Sequence, residues 1–227
     1  MLFRSKRILL LDDQGKASSA EKGGLADQLV QKGYQVIVPD LNGFGELSEG
    51  FKNRSIQDIP FNVWYAGVLT HKSPLAVRVE EIKILVDFIN QTPHAGEPQL
   101  TGIACGTLTS DLLHAAVIHS AFDQIALINP LISYQSIVQE KNYHSKFVIS
   151  TPAAVIGKYD LPDLVAALSP AKICMIHPVN SLDQIVDPNL FDLTYQEAKK
   201  KYGDSQNLTA VFNEKDVFLQ LEQWLNR

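Results

Sequence analysis

Apolar runs of strand length alternate with amphipathic helical patterns along this chain. Arg7 to Asp12 is apolar and leads into the loop DDQGK. A helical pattern over Ala20 to Lys32 closes at Gly33, a residue suited to a C-cap. Tyr34 to Asp40, YQVIVPD, has the length and branching of a buried strand. Residues 51 to 75 are irregular and aromatic, with Phe61, Trp64 and Tyr65. Val77 to Ile89 sets Val79, Ile82, Leu85, Val86 and Ile89 on one helix face, and Thr92 to Pro98 is a turn-rich connector. Leu100 to Val117, LTGIACGTLTSDLLHAAV, passes from an apolar, partly β-branched run straight into an amphipathic helix.

The same rhythm continues to the end. DQIALIN (Asp123 to Asn129), KICMIHPV (Lys172 to Val179) and LTAVFN read as strands. Between Pro130 and Pro170 strand-like alternation is confined to Phe147 to Ile149, and Leu161 to Leu168 is a short helix after Asp160. Thr194 to Tyr202 is helical and closes at Gly203, and Asp216 to Leu225 is the final helix. Strands alternating with helices predict an α/β fold, a three-layer α/β/α sandwich around a mostly parallel sheet. There is no internal repeat or linker, so residues 1–227 read as a single domain.

Composition narrows the function classes. A length of 227 residues, 45% apolar and 20% charged, suits one α/β domain with a full core. The net charge of -5 argues against nucleic acid as a partner, and no apolar run reaches the roughly 18 residues of a membrane span. The start, MLFRSKRILLLDD, imitates a signal peptide, but its short apolar part ending in two aspartates reads as a first strand. Cys105 and Cys174 both fall in strands, which favours free thiols over a disulfide. No cofactor is expected: in LNGFGELSEG, Ser48 stands where a dinucleotide fingerprint needs its third glycine. His71, His94, His119 and His144 lack ligand spacing, so no metal is expected either.

The chemistry centres on GIACG. Gly102 and Gly106, four apart at a strand-to-helix turn, frame a nucleophile elbow of the form G-x-S-x-G, with Ala104 at the nucleophile position. Together with GYQVIVPDLNGFGE, RVEEIKILVDFI, DLPDLVAALSPAKICMIHPV and a closing QLEQWLNR, this resembles the α/β-hydrolase superfamily. Within it, the chain is similar to acetyl xylan esterases and dienelactone-hydrolase-like esterases. The resemblance runs from the third strand of that fold onward and lacks the first two strands. It implies that an N-terminal portion is lost, or supplied by a preceding segment of a longer polypeptide. It also implies an acid after the strand KICMI and a histidine after the last strand. Those positions hold Asn180, with Asp183 three residues on, and Asn213, followed by Glu214 and Lys215. His177 is the last histidine of the chain, so no base stands behind the final strand, and a serine without a base is a weak nucleophile. The resemblance is therefore to a degenerate member without its triad. The backbone N–H of Cys105 and the loop at Gln14 are the expected remnant of its oxyanion hole.

Other readings compete at individual residues. Cys105 as a thiol nucleophile would set Ile103 and Thr107 where the elbow needs glycine, and both are β-branched. Ser110 and His114 share a helix face, His177 reads as a hydrogen-bonded core histidine, and Asp160 with Asp163 reads as the acidic start of a helix. Asn53-Arg-Ser55 and Asn207-Leu-Thr209 fit the glycosylation pattern. The expected function is an inactive esterase-like module that binds or shapes a partner. The alternative is an active ester hydrolase built on Cys105, His177 and Asp183. In the sheet, Leu100 to Ala104 should lie centrally between Ile8 to Leu11 and Gln124 to Ile128. Tyr34 to Asp40 should form an apolar edge covered by a partner domain or a second copy.

Overall fold

The computed structural model describes residues 6–48, 55–56, 59–92, 99–213 and 216–227. Six parallel strands run in the order β2-β1-β5-β6-β7-β8. They are β1 (Arg7–Leu11), β2 (Gln35–Ile37), β5 (Leu100–Cys105), β6 (Gln124–Ile128), β7 (Lys172–Ile176) and β8 (Leu208–Val211). A separate antiparallel pair joins β3 (Ser55–Ile56) to β4 (Ile59–Pro60). The helices are α1 (Lys16–Ala20), α2 (Leu25–Gln31), α3 (Phe61–Thr70), α4 (Pro74–Gln91), α5 (Leu108–His119), α6 (Tyr134–Gln139), α7 (Leu161–Ala167), α8 (Pro188–Thr194), α9 (Gln196–Tyr202) and α10 (Val217–Leu225).

Strand periodicity divides the core. Along β1, Leu9 and Leu11 enter a cluster with residues of α4, α5, α7, α8 and α9, while Ile8 and Leu10 face Ala26 and Leu29 of α2 and Trp224 of α10. All five β1 residues are buried because the strand has a neighbour on each side and helices over both faces. The expected order holds: β5 is flanked by β1 and β6, and β6 separates Cys105 from Cys174, which are free thiols.

Several boundaries differ from the sequence reading. The helix expected over 20–32 is broken by a turn at 21–24, where a Cβ on Gly24 would lie 2.4 Å from the Ser19 carbonyl oxygen. The buried strand expected over Tyr34–Asp40 pairs through Gln35–Ile37 alone and is half-exposed, because it is the edge with one neighbour. The segment expected to be irregular contains α3, and Ser73 caps α4 by accepting from the Ala76 N–H. Phe147 to Ile149 lies in a 3-10 turn over Ser145–Ser150, and the helix expected from Thr194 is two helices meeting at Tyr195. Residues 93–98 of the expected connector, His94 and Asn53 lie outside the described residues.

One buried ion pair ties the helical layer together. Arg78 of α4 donates through Nε to Asp111 of α5 at 2.7 Å, and neither side chain is exposed. Its Nη2 reaches the Ile149 carbonyl and Ser150 Oγ, each at 3.1 Å, and the guanidinium lies over the Phe44 ring. Removing one partner of such a pair strands a buried charge. Arg78→Met is therefore expected to lose about 3–5 kcal/mol in urea denaturation, and Arg78→Met with Asp111→Leu to recover most of it.

Candidate functional site

Parallel sheets bind ligands beyond the C-terminal ends of their strands, where the winding direction reverses. Here that point lies between β1 and β5, since β1 leads outward to β2 while β5 leads the other way through β6, β7 and β8. The loop following β1 and the β5–α5 turn therefore form the candidate crevice.

The turn is centred two residues beyond Ala104. Ala104 sits inside β5, fully buried, opposite Leu11 on one side and Leu127 on the other. The ladder with β6 runs on to Cys105 opposite Ile128, so the sharp change of direction falls at Gly106, with φ +59°. A strained elbow exposes the residue on the turn itself. That residue is Gly106, and Ala104 is a strand residue. Gly102, the other expected elbow glycine, is also within β5. The next two strands end in the same way. Asn129 (φ 52°) and His177 (φ 54°) follow β6 and β7 with left-handed backbones. Gly106, Asn129 and His177 each donate an N–H to the last carbonyl of the next strand, on Ile128, Ile176 and Val211, at 2.9, 2.8 and 2.7 Å.

The expected oxyanion-hole remnant is also displaced. Cys105 precedes the turn, and the residue after it is Thr107, whose N–H donates to Asp13 Oδ2 at 2.9 Å. Thr107 Oγ1 lies 3.3 Å from the same oxygen. A Cβ on Gly106 would stand 2.0 Å from Asp13 Oδ2, so the carboxylate fills the space a nucleophile's side chain would need. Gln14 turns donors toward the neighbouring carboxylates: its backbone N–H goes to Asp12 Oδ1 at 2.9 Å and its Nε2 donates to Asp13 Oδ1 at 3.1 Å. From the other side, Asp40 accepts from the Lys16 N–H at 2.7 Å and the Glu46 N–H at 3.1 Å, fastening the loop after β1 to that after β2. Sequence reasoning missed Asp13. Its signal was two adjacent carboxylates directly after the first strand.

The remaining candidates are engaged in structural contacts. Asn180 Oδ1 accepts from the N–H groups of Leu182 and Gln184, and Asp183 pairs with Lys146 at 2.5 Å on the surface. Buried His177 donates through Nε2 to the Asn213 carbonyl, while Asn213 Oδ1 accepts from Gln220 Nε2 at 2.9 Å. The imidazole thus stands behind β7, where the resemblance wants the acid, and an amide stands behind β8, where it wants the base. Glu214 and Lys215 lie outside the described residues. Burial, then the charges of Asp12 and Asp13, push the Cys105 thiol well above its ordinary pKa, which disfavours the thiolate. Asp160 and Asp163 form a capping box at the start of α7, and Asp160 also accepts from the N–H groups of Tyr134 and Gln135.

Ser110 and His114 are buried in α5. The His114 Nδ1–H donates to the Ser110 carbonyl at 2.7 Å, so Nε2 is left to accept from the Tyr159 hydroxyl at 2.9 Å. Among the described residues, no three His, Cys, Asp or Glu side chains converge as a metal site, and no helix is long and apolar enough to cross a membrane. A cleft of about 320 Å³ lies between β8 and α10, lined by Cys174, Val211, Asn213, Gln220, Trp224 and Arg227.

No protein-family model matches the chain, and no curated protein matches it. Its likeness is to solved structures. A putative acetyl xylan esterase from Bacteroides fragilis superposes with a TM-score of 0.70 at 16% identity, covering 93% of this chain and 60% of that one. Est1E from Butyrivibrio proteoclasticus, solved with ferulic acid bound, gives 0.58 at 12% identity over 97% of this chain and 87% of its own. A carbohydrate esterase family 15 glucuronoyl esterase from Caldicellulosiruptor kristjansonii gives 0.58 at 12% identity, over 97% and 67%. The chain thus spans about 60% of the length of the Bacteroides protein, and what it shares with all three is the α/β-hydrolase fold.

The His114 contacts carry a pH dependence. Burial holds the imidazole below its ordinary pKa of 6.5. The unfolded chain therefore takes up a proton before the native ring does, and this contribution to stability is complete above that value and declines as the pH falls below it. Denaturation midpoints measured from pH 8 down to pH 5 are expected to fall less steeply in His114→Gln than in the wild type.

Proposed function

We propose that this domain is an esterase-type α/β-hydrolase fold without hydrolytic chemistry, serving as a binding or structural module for a partner. The observation that carries the reading is the β5–α5 turn. Its strained position is Gly106, which has no side chain to attack with, and Asp13 stands in the space such a side chain would need. A nucleophile also needs a base, and behind β8 the chain offers Asn213, held by His177 and Gln220. The raised thiol of Cys105 counts against the rival reading of a cysteine hydrolase.

Purified protein is expected to hydrolyse p-nitrophenyl acetate no faster than an unrelated control protein. Ala104→Ser should leave it inactive, because that hydroxyl would lie inside the buried strand with no base beside it. Turnover that survives repurification and disappears in Cys105→Ala would overturn the reading.

The partner surface in this proposal is the β2 edge. Val36 and Ile37 are half-exposed there, and no described strand pairs with the outer side of β2. An apolar edge of this kind favours cover by another segment or a second copy, burying about 1,000 Å² or more in a specific contact. Val36→Lys is then expected to lower the association seen by light scattering. Identical monomeric scattering from both proteins at high concentration would count against a second copy.

A further inference from the structure

We propose that Asp13 is a built-in plug: its carboxylate occupies the crevice between β1 and β5 and keeps small carboxylate ligands out of it. The inference deepens the non-catalytic reading above, and its readouts do not involve turnover. Three observations converge on one oxygen. Asp13 Oδ2 accepts from the Thr107 N–H at 2.9 Å, lies 3.3 Å from Thr107 Oγ1, and stands 2.0 Å from where a Cβ on Gly106 would be. The first two give the carboxylate polar partners. The third shows that it fills the elbow itself, the place a nucleophile and the substrate oxygen beside it would share in a working hydrolase.

The plug is braced from behind, which separates it from a side chain that merely found a nearby donor. Gln14 Nε2 holds the second oxygen at 3.1 Å. Asp12 holds the Gln14 N–H and accepts from the Ser19 hydroxyl, and Asp40 holds the Lys16 N–H at 2.7 Å. The loop carrying Asp13 is therefore fixed at both ends. The plug adds no covalent step: it exchanges one carboxylate, tethered, for another, free. Shortening Asp13 to glycine removes a carboxymethyl group, and acetate has the size and charge to take its place.

The test compares the thermal midpoints of wild type and Asp13→Gly in sodium acetate and in sodium chloride of equal ionic strength at pH 7. Acetate is expected to raise the midpoint of Asp13→Gly by about 3 °C or more, a shift on the scale of one net hydrogen-bonded contact in a chain of this size, and to leave the wild type unmoved. The Thr107 amide resonance of Asp13→Gly should shift with acetate and not with chloride. An equal response in both proteins, or none in either, overturns the plug. A second arm serves if Asp13→Gly does not fold. Gly106→Ala should lower the midpoint strongly in the wild type and by clearly less in Asp13→Ser, whose short hydroxyl side chain lacks the carboxyl group that the new methyl would meet. Equal losses in the two backgrounds also overturn it. Turnover by the wild type would instead sink the non-catalytic reading while leaving these readouts as they are.

Discussion

Carboxylates that accept backbone N–H groups hold the working end of this sheet together. Loops after parallel strands leave amides that the ladder cannot satisfy, and a buried amide without a partner is costly. Here Asp12 takes Gln14, Asp13 takes Thr107, Asp40 takes Lys16 and Glu46, and Glu81 takes Asn42. Asp160 does the same for Tyr134 and Gln135 at the start of α6. A buried bond to a charged acceptor contributes about 1.5–3 kcal/mol, and the exposed ones from Gln14, Glu46 and Gln135 contribute less. Three of the four carboxylates at the crevice come from the ends of β1 and β2 or just beyond, so the loops that would otherwise open around a ligand are tied to one another.

The layer behind the crevice is fixed by different means. Arg78 crosses from α4 to Asp111 on α5 and also reaches the 3-10 turn at Ile149 and Ser150. Tyr134 of α6 donates its hydroxyl to the Ser150 carbonyl at 2.9 Å, and His114 links α5 to Tyr159. Buried polar groups of this kind add geometric definition to a helical layer that apolar packing alone would leave freer to slide. The opposite face of the sheet, under α2 and α10, is packed by aliphatic residues and Trp224. The firm side is thus the one α5 belongs to, and α5 begins at the plugged turn.

Strand order was legible because β1, β5, β6 and β7 are mostly apolar at successive positions, without polar alternation, the mark of strands buried on both faces. Helices were harder. FNVWYAGVLT in α3 is apolar nearly all round and offers no polar face to fix a period, while the glycines at 23 and 24 break a pattern that periodicity alone reads as continuous. The sharp turn after β5 falls two residues beyond Ala104. A pair of glycines four apart marks a frame, but where the strand ends is decided by its ladder with β6, which reaches Cys105. The role of Asp13 was hidden for a plainer reason, although the pair of carboxylates after β1 stood in plain view. Its partner Thr107 is 94 positions away, and no local pattern reports a contact of that span.

The carboxylate in the empty side-chain space of Gly106 also bears on the history open to such a sequence. A change at 106 alone meets an oxygen 2.0 Å from its first carbon, and a change at 13 alone strips Thr107 of its acceptor while supplying no chemistry. Each single step is a loss, and a side chain at 106 finds room only when 13 changes with it. A lineage that reaches this arrangement is held there as by a ratchet. Its descendants are free to remodel loops and outer surfaces, while positions 13 and 106 stay bound to one another.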